Sequence, residues 1–158
     1  MLSLCPLTFE DADDYHRLTG EPEVMRYITG EAYSREKSRR EAERLVTRFL
    51  ESGRFGIWKA TLPDGTFVGV GGLMPGDTGE EAEIGFRVLN CYWGQGYGLA
   101  IAQALLERAR RQELRRLWAT VDEANTASRR ILQKLSFEII GRTPNELGRQ
   151  DLRLLKKI

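Results

Sequence analysis

The chain is 158 residues long, 41% hydrophobic and 30% charged, which suits one compact soluble domain covering residues 1 to 158 and leaves no need for a second. Its apolar runs are only a few residues long, and MLSLCPLTF lacks both a basic start and a long apolar core, so neither a membrane span nor a signal peptide is expected and a cytoplasmic location is. A formal net charge of +1 gives no global pull toward nucleic acid or membrane, so any anion site must be local.

Leu2, Leu4 and residues 6 to 9 read as a first strand, ending where Glu10 and Asp11 open a helix that runs to about Thr19. Gly20 closes it, Pro22 starts a second helix through EPEVMRYI, and Gly30 ends that one. Ser34 caps a longer helix to about Glu51, with Ala42, Leu45, Val46, Phe49 and Leu50 on its apolar face and Gly53 as its stop. Residues 55 to 62 and 66 to 74 flank Pro63-Asp64-Gly65, a hairpin signal. Gly69, Gly71 and Gly72 in the second of these strands imply that another surface approaches its backbone closely.

Residues 79 to 106, GEEAEIGFRVLNCYWGQGYGLAIAQALL, form the unit around which the rest is organised. Ala82, Ile84, Phe86 and Val88 alternate with Glu83, Gly85 and Arg87, the period of a half-buried strand. Gly98, Ala102, Leu105, Leu106 and Ala109 then fall at helical spacing, so an amphipathic helix begins near Gly96 and runs to about Arg111. Gly94, Gly96 and Gly98 leave N–H groups uncovered at the positive end of that helix, which attracts a phosphate; the alternative is a turn whose glycines merely permit positive φ. Two other phosphate loops are excluded. A Rossmann fingerprint from Gly94 needs glycine where Leu99 stands, and no GxxxxGK[ST] occurs.

Leu117, Ala119 and Val121 alternate with Trp118 and Thr120 in a strand that ends at Asp122-Glu123, and a short helix follows from Thr126 to Leu135. Residues 137 to 141, a turn around Pro144, and residues 151 to 157 give two closing strands. The sum is an α+β layout, a mixed sheet of about seven strands with about four helices.

Cys5 and Cys91 make no metal or disulfide pattern, and His16 is the only histidine, so zinc sites and serine–histidine or cysteine–histidine catalysis are disfavoured and no metal is expected. Cys91 reads as a small, partly buried residue in preference to a nucleophile. Arg40, Arg44 and Arg48, and the run RARRQELRR, read as solvated helix faces and dipole-complementing cations rather than a nucleic-acid patch.

EIGFRVLNCYWGQGYGLAIAQALL followed by ATVDEANTASRRILQKLSF resembles the GNAT family of N-acetyltransferases, in particular the subgroup containing the ribosomal-protein N-terminal acetyltransferases. The likeness extends back through PLTFEDADDYHRL and EPEVMRYI, nearly the whole chain. It implies a mostly antiparallel sheet splayed between its fourth and fifth strands, with acetyl-CoA in the gap as co-substrate. It also implies a primary amine as acceptor, foremost a protein N-terminal α-amine, ribosomal or other, with small amines as the alternative and a monomer or homodimer as the assembly. A non-catalytic acyl-CoA-binding module is a further alternative.

By the same resemblance, the amides of Gln95, Gly96, Tyr97 and Gly98 hold the pyrophosphate, and the backbone of Val88 and Leu89 binds the pantetheine arm and polarises the thioester. Trp93 stands where many members carry Gln or Arg. Asn125 contacts the pantetheine in the family and is equally an N-cap. The tyrosine that serves many relatives as general acid is Leu132 here, which makes Ser128 the candidate proton donor to the leaving thiolate; its hydroxyl has a local backbone bond as the alternative role. Leu135-Ser136-Phe137 replaces the usual Leu-Gly-Phe. Glu83 is a candidate base, directly or through water, or half of a cross-strand salt bridge. Tyr27 and Trp58 are candidate acceptor liners.

Overall fold

The computed structural model describes residues 1–158. Seven strands, β1 (Ser3–Pro6), β2 (Gly56–Thr61), β3 (Phe67–Pro75), β4 (Glu81–Val88), β5 (Arg116–Asp122), β6 (Glu138–Pro144) and β7 (Gln150–Lys157), form one sheet in the order β1-β2-β3-β4-β5-β7-β6. Every neighbouring pair is antiparallel except β4 and β5. The helices are α1 (Ala12–Thr19), α2 (Pro22–Met25), α3 (Arg35–Ser52), α4 (Tyr97–Arg111) and α5 (Thr126–Lys134), each at a segment where the sequence places a helix.

The first strand stops at Pro6, short of the expected end, because Thr8 and Asp11 build a 3-10 turn over Phe9–Asp11. The Asp11 carboxylate takes the Thr8 amide and hydroxyl and then Lys59 at 2.8 Å, tying this turn to β2. The second helix is likewise cut short. The amides of Ile28, Thr29 and Gly30 all converge on the Met25 carbonyl, which ends the helix and turns Tyr27 to Thr29 away from the buried Val24 and Met25. The Ser34 cap forms as expected, its hydroxyl accepting from the Lys37 amide at 3.1 Å.

Apolar residues cover both faces of the sheet. Leu7, Tyr15, Leu18, Leu45, Val46 and Val70 belong to the layer under α1 and α3, while Val68, Leu73, Ile84, Ile101, Leu105 and Leu117 belong to the layer under α4. The glycines of β3 permit this closeness. A Cβ on Gly71 would come within 2.6 Å of Ile101 and 2.8 Å of Leu105, so α4 can sit on the strand only where that side chain is missing. Trp58 is fully buried, edge-on to Phe49 and covered by the Arg108 guanidinium, so it is core and cannot line an acceptor groove. Cys91 is exposed, not partly buried. His16 bonds Ser38 at 2.8 Å, a packing role between α1 and α3. Five of the eight arginines in the two basic runs face carboxylates, Arg40 with Glu36, Arg44 with Glu41, Arg110 with Glu107, Arg115 with Glu80 and Arg116 with Glu81.

Ser136 takes the place of the usual glycine and adopts its conformation, with φ 65. A side chain in the left-handed region is strained, so Ser136→Gly is expected to stabilise the fold by about 0.5–1 kcal/mol, read as a rise in the urea midpoint with unchanged slope. A fall in the midpoint would show that the serine makes a compensating contact.

Candidate active site

The parallel ladder between β4 and β5 is only three residues long, Glu81 to Glu83 against Arg116 to Trp118. Beyond it β4 continues to Val88 and β5 to Asp122 without pairing, and a cleft of about 770 Å³ opens between them. Its walls come from both strands, from Tyr27 to Thr29 after α2, from Asn125, Ser128 and Leu132 of the α5 region, and from Pro144 to Leu147 at the β6–β7 turn. Glu83, Asn125, Ser128 and Tyr27 therefore meet in one cavity, although they lie up to a hundred positions apart in the chain.

The splay leaves backbone groups of β4 without a strand to bond. Leu89 gives its amide to the Val68 carbonyl at 2.9 Å, so the alternation of an antiparallel ladder turns the Val88, Phe86 and Ile84 peptides toward the cleft. This corrects one expectation. The Leu89 amide is committed to β3 and cannot polarise a thioester, whereas the Val88 amide faces the gap. The Val88 carbonyl is also taken, by the Trp93 indole N–H at 2.8 Å, which straps the glycine turn back onto β4.

In that turn Gly94 has φ 75 and Gly96 φ 84, and a Cβ on either would meet nothing within 4 Å. No carbonyl or side chain of the protein accepts from the amides of residues 94 to 99. They converge at the N-terminus of α4, a helix of 15 residues, whose dipole adds to the attraction for an anion. Gly98 differs from its neighbours. Its missing Cβ would fall 2.9 Å from Ile131, so it lets α4 pack against α5 in addition to presenting an amide. An open cradle of uncommitted amides beside an unpaired strand edge fits a pyrophosphate attached to an extended amide arm.

Asn125 caps α5, its Oδ1 accepting from the Ser128 amide at 3.2 Å, while its side-chain NH₂ makes no bond within the protein and remains available to the cleft. The Ser128 hydroxyl has no intramolecular partner, so the local backbone bond does not form. Leu132 is buried against the core at the cleft wall and offers no proton.

Glu83 sits opposite Met74 on one side and Trp118 on the other. Burial pushes its carboxyl above the ordinary value, and the Thr120 hydroxyl and Arg153 guanidinium only partly offset this. The cross-strand salt bridge is absent. Arg153 stacks instead on Trp118, 4.4 Å from the ring centre, leaving Glu83 a half-buried carboxylate free to accept a proton.

The far end of the cleft is held by a network that the sequence reading missed. Asp122, with a fully buried side chain, takes Arg149 at 2.8 Å and the Asn145 NH₂ at 2.9 Å, and Asn145 also donates to Asp151 at 2.9 Å. Burial pushes the Asp122 carboxyl up, but Arg149, the Ala124 amide and Asn145 together hold it below the usual carboxylate value. These bonds pin the β6–β7 turn over the end of β5. Asp122 was visible as a strand end, but its partners come from a turn nearly thirty residues later.

Splayed strands, uncommitted amides at a helix start and a carboxylate in the gap are the parts an acyl transfer needs, and residues 2–138 match the acetyltransferase (GNAT) domain. The chain belongs to that family of acetyltransferases. It is 43% identical over 51 residues to the L-methionine sulfoximine/L-methionine sulfone acetyltransferase of Pseudomonas aeruginosa, a match over 32% of this chain and 30% of that protein. Its fold superposes on RimL, the ribosomal L7/L12 alpha-N-protein acetyltransferase in complex with coenzyme A, with a TM-score of 0.85 at 18% identity over 99% of this chain and 94% of the other. The spermidine N-acetyltransferase of Vibrio cholerae, in complex with CoA and spermine, gives 0.84 at 17% identity over 99% and 95%.

Proposed function

We propose that this enzyme acetylates an α-amine, foremost that of a protein N-terminus, with Glu83 as base and Ser128 as the donor to the departing thiolate. The observation that carries the reading is the meeting of an unpaired, half-buried carboxylate and an uncommitted hydroxyl in the cleft between β4 and β5. Bound acetyl-CoA supplies an acetyl group as a thioester. The protein supports it with the amides of Gln95, Gly96, Tyr97 and Gly98 against the pyrophosphate, with the Val88 backbone and the Asn125 NH₂ along the pantetheine arm. Leu89 serves by holding β4 to β3.

Glu83 removes the proton that the acceptor ammonium must lose before its nitrogen can form the N–C bond. An α-amine with pKa about 8 is roughly a tenth neutral at pH 7, whereas a lysine near 10.4 is well under one part in a thousand, so a carboxylate base suffices for the former. The likeness to RimL supports a protein N-terminus as source of that amine. The likeness to the spermidine enzyme and the acidic lining of the cleft, Glu83, Asp122, Glu146 and Asp151, favour a second reading in which the acceptor is a small polycation. Labelled acetyl-CoA offered to N-terminal peptides, free amino acids, polyamines and aminoglycosides, with mass identification of products, tests both. Faster turnover of polyamines than of any α-amine overturns the first.

Ser128 hydrogen-bonds the sulfur as the C–S bond breaks. A thiolate near pKa 8.5 already leaves tolerably, so Ser128→Ala is expected to slow the chemical step about ten- to a thousandfold while coenzyme A affinity stays near that of the parent. Pre-steady-state acetyl transfer within about twofold of the parent would assign the proton to solvent.

A further inference from the structure

Acetyl transfer leaves the one basic residue of the cleft, Arg87, without a task. Arg87 lies on the same face of β4 as Glu83, with Gly85 between them. A Cβ on Gly85 would meet nothing within 4 Å, so the floor between carboxylate and guanidinium is open. Arg87 is the single basic residue among those lining the cleft, where Glu83, Glu146 and Asp151 supply the opposite charge and Asp122 is taken by Arg149.

The Arg87 guanidinium has no carboxylate partner; it lies against the Met25 sulfur, at 3.9 Å, and beside the Tyr15 and Tyr33 phenols. The Tyr15 phenol cannot compensate the charge. Burial pushes Tyr15 up to about 12 against the pull of Arg87, so it stays neutral. Glu41, which acts on both Tyr15 and Tyr33, faces Arg44 at 3.9 Å. A half-buried guanidinium without an anion is costly, and guanidinium is the side chain best shaped to take a carboxylate through two parallel bonds.

We propose that Arg87 binds a carboxylate carried by the acceptor, so that the enzyme selects amines with a carboxylate only a few bonds away. The inference rests on the amine-acetylation reading. Glu83 and Arg87 are about 13 Å apart along the strand at about 3.3 Å per residue, and both side chains rise from the face that is open over Gly85, so one acceptor lying there can meet both. The ammonium faces Glu83 and the carboxylate faces Arg87. That carboxylate has two sources, the α-carboxylate of a free amino acid or the side chain of an acidic residue at a peptide N-terminus.

The test measures kcat/KM at saturating acetyl-CoA for two matched pairs, a free amino acid against its carboxamide and a peptide beginning with Asp against one beginning with Asn. At least tenfold preference for the carboxylate is expected in one pair, and that pair identifies the source. In Arg87→Met the ratio is expected to fall to within about twofold, through KM more than kcat, and Arg87→Lys should restore part of it because charge remains while the fork is lost. Parity in both pairs with the parent enzyme overturns the proposal without any variant. So does an unchanged ratio in an Arg87→Met enzyme that binds coenzyme A like the parent. Acetylation of polyamines alone would overturn the carboxylate site and leave amine acetylation standing, whereas no acetylation of any amine would overturn both.

Discussion

Gly96→Asp is expected to weaken coenzyme A binding at least a hundredfold, about 2.7 kcal/mol, in a protein that still folds. Gly96 is the N-cap of α4, and the amides around it have no acceptor within the chain. An aspartate there brings a negative charge into the cradle, and its carboxylate can itself accept from the first helical amides, the groups a pyrophosphate needs. The fold should tolerate the change. A Cβ at Gly96 meets nothing within 4 Å, and aspartate is among the residues that enter the left-handed region most readily, so φ 84 costs only about 1–2 kcal/mol before the new cap offsets part of it. Calorimetric titration with coenzyme A reads the affinity and circular dichroism the fold. Unchanged affinity in a folded variant would move the anion site elsewhere.

Glu83→Gln is expected to lower kcat by about a hundred- to ten-thousandfold and to remove the acidic limb of the pH–rate profile. Because burial raises the folded-state pKa, that limb in the parent enzyme should lie above the ordinary carboxyl range. The same shift has a stability consequence of definite sign. A carboxyl whose folded pKa is raised stabilises the fold fully below its unfolded pKa, and that contribution is lost as pH rises through the folded value. At neutral pH the ionised Glu83 is therefore a burden on the fold, carried for the sake of activity. Glutamine keeps the shape without the charge, so the variant's Tm at pH 7 should equal or exceed the parent's while its activity collapses. A lower Tm would mark Glu83 as a structural residue, and kcat within about threefold of the parent would remove it from the chemistry.

The amino-acid sequence by itself determined the local elements and the turn chemistry. The alternation from Ala82 to Val88, the helical spacing from Gly98 to Ala109 and the Ser34 cap are each set by residues within a few positions of one another, and each forms where the pattern places it. The resemblance carried by EIGF and the glycine turn also reached the splay of β4 from β5, confirmed by a parallel ladder that ends after Glu83. Boundaries failed where a side chain competed with the backbone. Asp11 converted the end of β1 into a capped turn, and three amides converging on Met25 ended α2 early.

Only the tertiary structure decided which polar groups are free. The resemblance makes Trp58 an acceptor liner, but α3 and α4 close over it; it makes Leu89 a backbone contact for a ligand, but β3 takes its amide. Glu83 looks ready for a salt bridge until Arg153 is seen stacked on Trp118, and Arg87 is legible only as an outward-facing strand residue until no carboxylate of the protein is found paired with it. Periodicity is a property of near neighbours and can be read from one strand at a time. Whether a carboxylate or guanidinium has a partner depends on elements scores of residues away, and is decided only when they pack.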